Sequence, residues 1–216
     1  MPVGILLIRR AVMLPLLVSV ILVSFAGAIV PGPILAVTIA KGFKSPWAGL
    51  QIALAHILID ISVILLIYFG LGQFLQIVTV QIILSILGGI FIIWLGINMF
   101  RTRAKVVYGR ADLRYSAFTL GILTTVFNPM FLLWWATIGS MFIMKFHEFG
   151  ITGLIAFIFA MELPNLTWYP LASIVTYKTS SSLRGQKIKE WLFIICSMLL
   201  IGFGVWFVVS GVQMIV

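Results

Sequence analysis

His56 and Asp60 stand four residues apart inside Trp47 to Leu71, a run that is otherwise mostly apolar. In a helix that spacing stacks imidazole and carboxylate on one face, where they can share a proton. An acid at mid-span costs about 2.5–3.5 kcal/mol on insertion scales, so it must face protein or water rather than lipid. Such a pair can bind a proton or a solute's amine. The alternative is structural, with Asp60 accepting hydrogen bonds from His56 or from loosened backbone. A second cluster, Glu162, Pro164 and Asn165, lies in a later apolar run. Glu162 and Asn165 are three apart and share a face, placed to meet His56 and Asp60 across the molecule. Read structurally, Glu162 caps a kink instead. Pro164 removes a helix donor and frees a carbonyl near Ala160, which predicts a local break.

The elements that must position these groups are themselves interrupted. Pro31-Gly32-Pro33 sits deep in the apolar run Ala11 to Ala40, and Asn128-Pro129 sits in a corresponding run in the other half. Each proline removes a donor and crowds the preceding turn, so both helices should unwind there. Unpaired backbone at membrane depth is tolerable only beside protein or a wet cavity, and paired interruptions of this kind point to a transporter's solute site. Thr124, Thr125 and Asn128 can bond the freed carbonyls or a solute. Trp134-Trp135 read as packing or interfacial residues, and Gly88, Gly89, Gly202, Gly204 and Gly211 as points of close helix approach.

Composition sets the class. With 62% hydrophobic and 9% charged residues and a mean hydropathy of +1.23, the 216-residue chain is an integral membrane protein. Six spans are expected: Ala11 to Ala40, Trp47 to Leu71, Phe74 to Phe100, Ser116 to Met144, Phe149 to Tyr177 and Trp191 to Val216. Each is long enough for a hydrocarbon core about 30 Å thick. Arg9-Arg10 followed by an apolar stretch and Ala26-Gly27-Ala28 imitates a cleaved signal, but the apolar run continues past it to the proline break. A formal charge of +9 does not mark a nucleic-acid partner, because the basic residues fall between spans. The lone Cys196 excludes an intramolecular disulfide and a two-cysteine thiol relay.

Of the 14 Lys and Arg, eleven fall after spans one, three and five, in the stretches from Lys41 to Lys44, Arg101 to Arg114 and Lys178 to Lys189. That side should be cytoplasmic, with both termini outside and the protein multi-pass in the cell membrane. Three spans per half would insert two similar halves in opposite orientations. The fold expected is therefore an all-α transmembrane domain over residues 1–216, built as two inverted three-helix repeats. The first covers about 11–100, a basic cytoplasmic loop about 101–115, and the second about 116–216, with proline-broken helices in spans one and four.

Taken together, these residues resemble the LysE family of amino-acid exporters. Gly27-Ala28-Ile29-Val30-Pro31-Gly32-Pro33 is similar to its proline-glycine-proline stretch. Ala48-Gly49-Leu50 leading to Ala55-His56 and Asp60 is similar to its Gly-His and acidic positions. Leu95-Gly96, Met99 and Arg101 resemble the close of its third span, and Trp168-Tyr169 a pair in its fifth. Asn128-Pro129 with Leu133-Trp134-Trp135-Ala136-Thr137-Ile138-Gly139 resembles an archaeal-type branch. The likeness covers nearly the whole chain and is weakest in span six. Met161 and Asn165 stand where such relatives usually carry His and Asp, with Glu162 one position away, and Met130 stands where bacterial members often have Lys.

The expectation is a secondary exporter of amino acids or similar small polar solutes, coupled to protons, with no cofactor, no resident metal and no enzymatic activity. Pro31, Gly32, Pro33, His56, Asp60, Thr125, Asn128, Pro129, Glu162 and Asn165 form its solute or proton pathway. The first turns of the broken helix halves would attract a carboxylate, while Asp60 and Glu162 take up a proton or an amine. The rivals are a divalent-cation exporter, using His56, Asp60, Glu162 and Asn165 as ligands, and a non-transporting membrane scaffold. The partners expected are the bilayer and the solute, and small-residue faces permit a homodimer.

Overall fold

The computed structural model describes residues 3–107, 113–179 and 183–215; the side chains of 3–11, 76, 104–107, 183–186, 188 and 189 lie outside the description. Every regular element among the described residues is helical. Among the described residues, six helices are long and apolar enough to cross a membrane: Val12–Ile29, Ala48–Tyr68, Val78–Arg103, Pro129–His147, Gly150–Thr179 and Glu190–Gln213.

The first apolar run divides where the prolines demand it. Helix α1 (Val3–Ile29) ends before Val30-Pro31-Gly32, and α2 (Pro33–Gly42) restarts with Pro33 in its first turn. The fourth run divides in the same way, into α5 (Ala117–Val126) and α6 (Pro129–Trp134). A proline that cannot donate fits the first turn of a helix, where the N–H has no partner anyway. Gly32 and Asn128, each preceding a proline, are extended as that position requires. Helix α6 runs on through a π turn (Trp135–Gly139) into α7 (Ser140–His147).

The unbroken spans are α3 (Ala48–Tyr68), α4 (Val78–Val107), α8 (Gly150–Thr179) and α9 (Leu183–Gln213). Gly70, with φ 87°, starts the 3-10 turn Leu71–Gln76 between α3 and α4, and Gly150, with φ 65°, opens α8. Both positions need a residue without a Cβ.

Helices α3 and α8 cross at the centre, flanked by α1 and α2 on the α8 side and by α5 and α7 against α3. Helices α4 and α9 pack along their length, with α9 also on α2 and α4 on α6. Exchanging spans one, two and three with four, five and six maps these pairings onto one another, a pattern consistent with an inverted repeat.

Three expectations need correction. Pro164 does not interrupt its span, since α8 continues through both Pro164 and Pro170. Neighbouring helices can carry a proline-containing turn inside a membrane bundle, and α1, α2 and α3 all pack on α8. Lys41 is not a loop residue: the restart at Pro33 carries α2 to Gly42, leaving Lys41 5% exposed with its Nζ donating to the Leu113 carbonyl at 3.2 Å. The basic stretch after span three begins on α4, which runs to Val107, so Arg101 and Arg103 are helical. Among the other charges used to orient the chain, Arg110 and the side chains of Arg9, Arg10, Lys105, Arg184 and Lys189 lie outside the described residues.

Candidate functional site

Glycines set the register that builds the site. A Cβ on Gly49 would lie 1.9 Å from the Tyr169 carbonyl oxygen, so α3 and α8 touch backbone to backbone. On the other flank, a Cβ on Gly121 would lie 2.8 Å from Cβ of Ala55, so α5 also packs closely on α3. One helical turn beyond Gly121 is Thr125, and next to Ala55 is His56; their side chains meet.

The resulting network has a defined proton order. Thr125 Oγ1 donates to the Gly121 carbonyl at 2.7 Å, which commits its single hydrogen. Its oxygen, 3.0 Å from His56 Nδ1, must then accept from the ring N–H. That leaves His56 Nε2, 3.1 Å from Asp60 Oδ2, to face the carboxyl. The distance is that of an ion pair, although the angle falls short of a directed hydrogen bond and Oδ2 has no hydrogen-bond partner. Asp60 Oδ1 accepts from the indole N–H of Trp135 at 3.1 Å. Phe131 and Tyr169 stand edge-on to the His56 ring, at 5.7 and 6.2 Å between centroids.

The second half supplies the facing acid. Glu162 adjoins Asp60 and His56, closely enough for the two carboxyls to interact through a hydrogen bond. Its Oε2 accepts from Asn165 Nδ2 at 3.0 Å, while Oε1 is buried without a partner. Next to it in sequence, the Met161 carbonyl accepts from Ser24 Oγ at 2.6 Å, tying α1 to α8 just before the break. Asp60 is fully buried and Glu162 is 4% exposed. Among the described residues, no group of three or more His, Cys, Asp or Glu is arranged to hold a metal ion.

A cavity of about 440 Å³ opens over this cluster and reaches both helix breaks. Six of the ten residues expected in the pathway line it: Gly32, Pro33, His56, Asp60, Asn128 and Asn165. Asn128 also caps α6, its Oδ1 accepting from the Met130 N–H at 3.2 Å. Thr125 and Glu162 are not in the lining but contact residues that are. Pro31 and Pro129 shape the breaks without facing the cavity; Pro31 is exposed and Pro129 buried. A second cavity of about 290 Å³, beside Trp94, Asn98, Arg114 and Tyr115, contains none of the ten.

Residue spacing missed several participants. Trp135, expected to serve packing or the interface, is 1% exposed and holds the acid. Ser24 had a signal, as a hydroxyl shortly before the break, whereas Trp135 had none, because an indole in an apolar run is ordinarily packing. Tyr169 lines the cavity, as do Phe203, Trp206 and Phe207 of α9, from the span with the weakest family likeness.

Comparison with known proteins agrees with this architecture. The family model described as "LysE type translocator" matches residues 25–211, which include both helix breaks and the whole cluster. YcgF of Bacillus subtilis (strain 168), a protein named provisionally for amino acid efflux, is 28% identical over 188 residues, covering 84% of this chain and 90% of its own. No solved structure gives a significant match.

Proposed function

The chain belongs to the LysE type translocator family, and from that premise we propose that it is a proton-coupled exporter of amino acids or closely similar solutes in the cell membrane. The observation that carries this reading is the meeting of Asp60 and Glu162, one acid from each half, beneath a cavity bounded by both broken helices. Each acid leaves one oxygen without a hydrogen-bond partner. A proton shared between adjoining buried carboxyls supplies both, and a solute ammonium arriving in the cavity competes for the same place. Proton and solute then occupy the site in turn, and each biases the inward- or outward-open state for which it has the higher affinity.

Two half-helices begin at the cavity, at Pro33 and Pro129, and the first turn of α2 offers backbone N–H groups to a carboxylate. Relatedness to a protein named for amino acid efflux supports the same solute class. The basic stretches after spans one, three and five support a cytoplasmic face there, with the termini outside. Within the family, the stretch from Leu133 to Gly139 supports placement on an archaeal-type branch. The divalent-cation rival draws no support from the arrangement of acids and imidazoles among the described residues.

Asp60→Asn tests the reading directly. The variant keeps the size of the side chain and removes its exchangeable proton. Efflux from everted vesicles should fall to background while the protein remains folded in the membrane. Wild-type flux in the variant would overturn the coupling role.

A further inference from the structure

The lining of the cavity narrows the solute. Its polar side chains include Ser24, His56, Asp60, Asn128 and Asn165, and most of the rest is apolar or aromatic, with Phe203, Trp206 and Phe207 supplied by α9. Among the described residues, no Lys or Arg lines it. Its single lining acid already has Trp135 on one oxygen and His56 beside the other. A backbone-like ammonium and carboxylate can be met by these polar groups, but a second charge on the solute's side chain would lie against apolar and aromatic lining with no counter-charge. Taking the exporter reading above as its basis, we infer that the solute is a neutral amino acid with an apolar or aromatic side chain, bound with its charged end at Asp60 and its side chain among the α9 aromatics. This narrows the amino acids or similar small polar solutes expected from the residues alone.

Gly27 provides the handle on specificity. It borders the cavity on α1, and a Cβ added there meets nothing within 4 Å. Leu at this position adds volume at the border of the cavity, its Cβ displaces no packed neighbour, and it suits a helix better than Gly. A difference of one or two methylenes in an apolar pocket discriminates by about 10- to 200-fold. Gly27→Leu should therefore reduce phenylalanine transport far more than alanine transport, with Gly27→Ala intermediate.

The experiment uses the full chain in proteoliposomes loaded with alanine, leucine, phenylalanine, threonine, lysine or glutamate, with thermal shifts measured on the same preparations. Leucine and phenylalanine should be exported and should raise Tm, with lysine and glutamate slower by about tenfold or more. The phenylalanine-to-alanine ratio should drop by about tenfold in Gly27→Leu. Lysine, glutamate or threonine leaving faster than leucine would overturn this inference and leave the exporter reading standing. An unchanged ratio in folded Gly27→Leu and Gly27→Ala would also overturn it. If folded wild-type protein moves none of the six, the exporter reading itself fails, and this inference with it.

Discussion

Two helix pairs in this molecule are closed by the same device and put it to different uses. In α3–α8, a Cβ on Gly49 would lie 1.9 Å from the Tyr169 carbonyl oxygen; in α4–α9, one on Gly89 would lie 2.7 Å from that of Gly204. The α4–α9 pair buries Ser85 and Ser197, and Ser197 returns its hydrogen to the Phe193 carbonyl one turn back at 2.6 Å. The α3–α8 pair buries His56, Asp60, Glu162 and Asn165, and there two carboxyl oxygens lack hydrogen-bond partners. Close backbone approach is thus a packing method common to both. What separates the two contacts is that the acids buried at α3–α8 keep carboxyl oxygens without partners, whereas the Ser197 hydroxyl at α4–α9 is satisfied within its own helix.

That contrast can be broken or sharpened by substitution. The largest effect should come from Gly49→Ala, because the obstructing atom is a backbone carbonyl that cannot rotate away. We expect a loss of about 1–3 kcal/mol or more, seen as a lowered Tm in detergent, together with loss of efflux. Trp135→Phe keeps an aromatic ring but removes the donor to Asp60, leaving Oδ1 unpaired. An unsatisfied buried acceptor costs about 1–3 kcal/mol, so efflux in vesicles should slow by about tenfold or more while expression holds. Gly89→Ala should lower Tm less than Gly49→Ala, and the folded fraction should keep the wild-type order of solute preference. A changed preference there would show that the packing of α4 on α9 sets where the α9 aromatics stand in the cavity. The smallest effect is expected at Gly202 on α9, where an added Cβ meets nothing within 4 Å. Gly202→Ala should leave flux unaltered and stabilise by up to about 0.5–1 kcal/mol through helix propensity.

Much of this was legible before any coordinates. Pro31 to Pro33 and Asn128-Pro129 break their helices because a missing N–H is a local property that no neighbour can restore. Pro164 shows the limit of that argument, since α8 carries the same defect without interruption, packed against α1, α2, α3 and α7. The spacing of His56 and Asp60 placed them on one face, and Glu162 was placed to meet them. Trp135 was misjudged because nothing in its neighbourhood says which way an indole points. Lys41 was misjudged because a lysine after an apolar run looks like a loop charge until its carbonyl partner, 72 residues later, is known.

The sequence alone determined that this is a six-span membrane protein, where two of its helices are broken, and which acids it carries at membrane depth. Those properties depend on hydropathy over about 20 residues and on the chemistry of single prolines. Only the tertiary structure decided that Asp60 accepts from Trp135 with His56 beside its other oxygen, that Thr125 sets the tautomer of His56, and that the cavity above them is lined by aromatics. Those contacts depend on the relative rotation and height of helices far apart in the chain. Glycine contacts such as Gly49 on Tyr169 set that register, and local spacing carries no record of it.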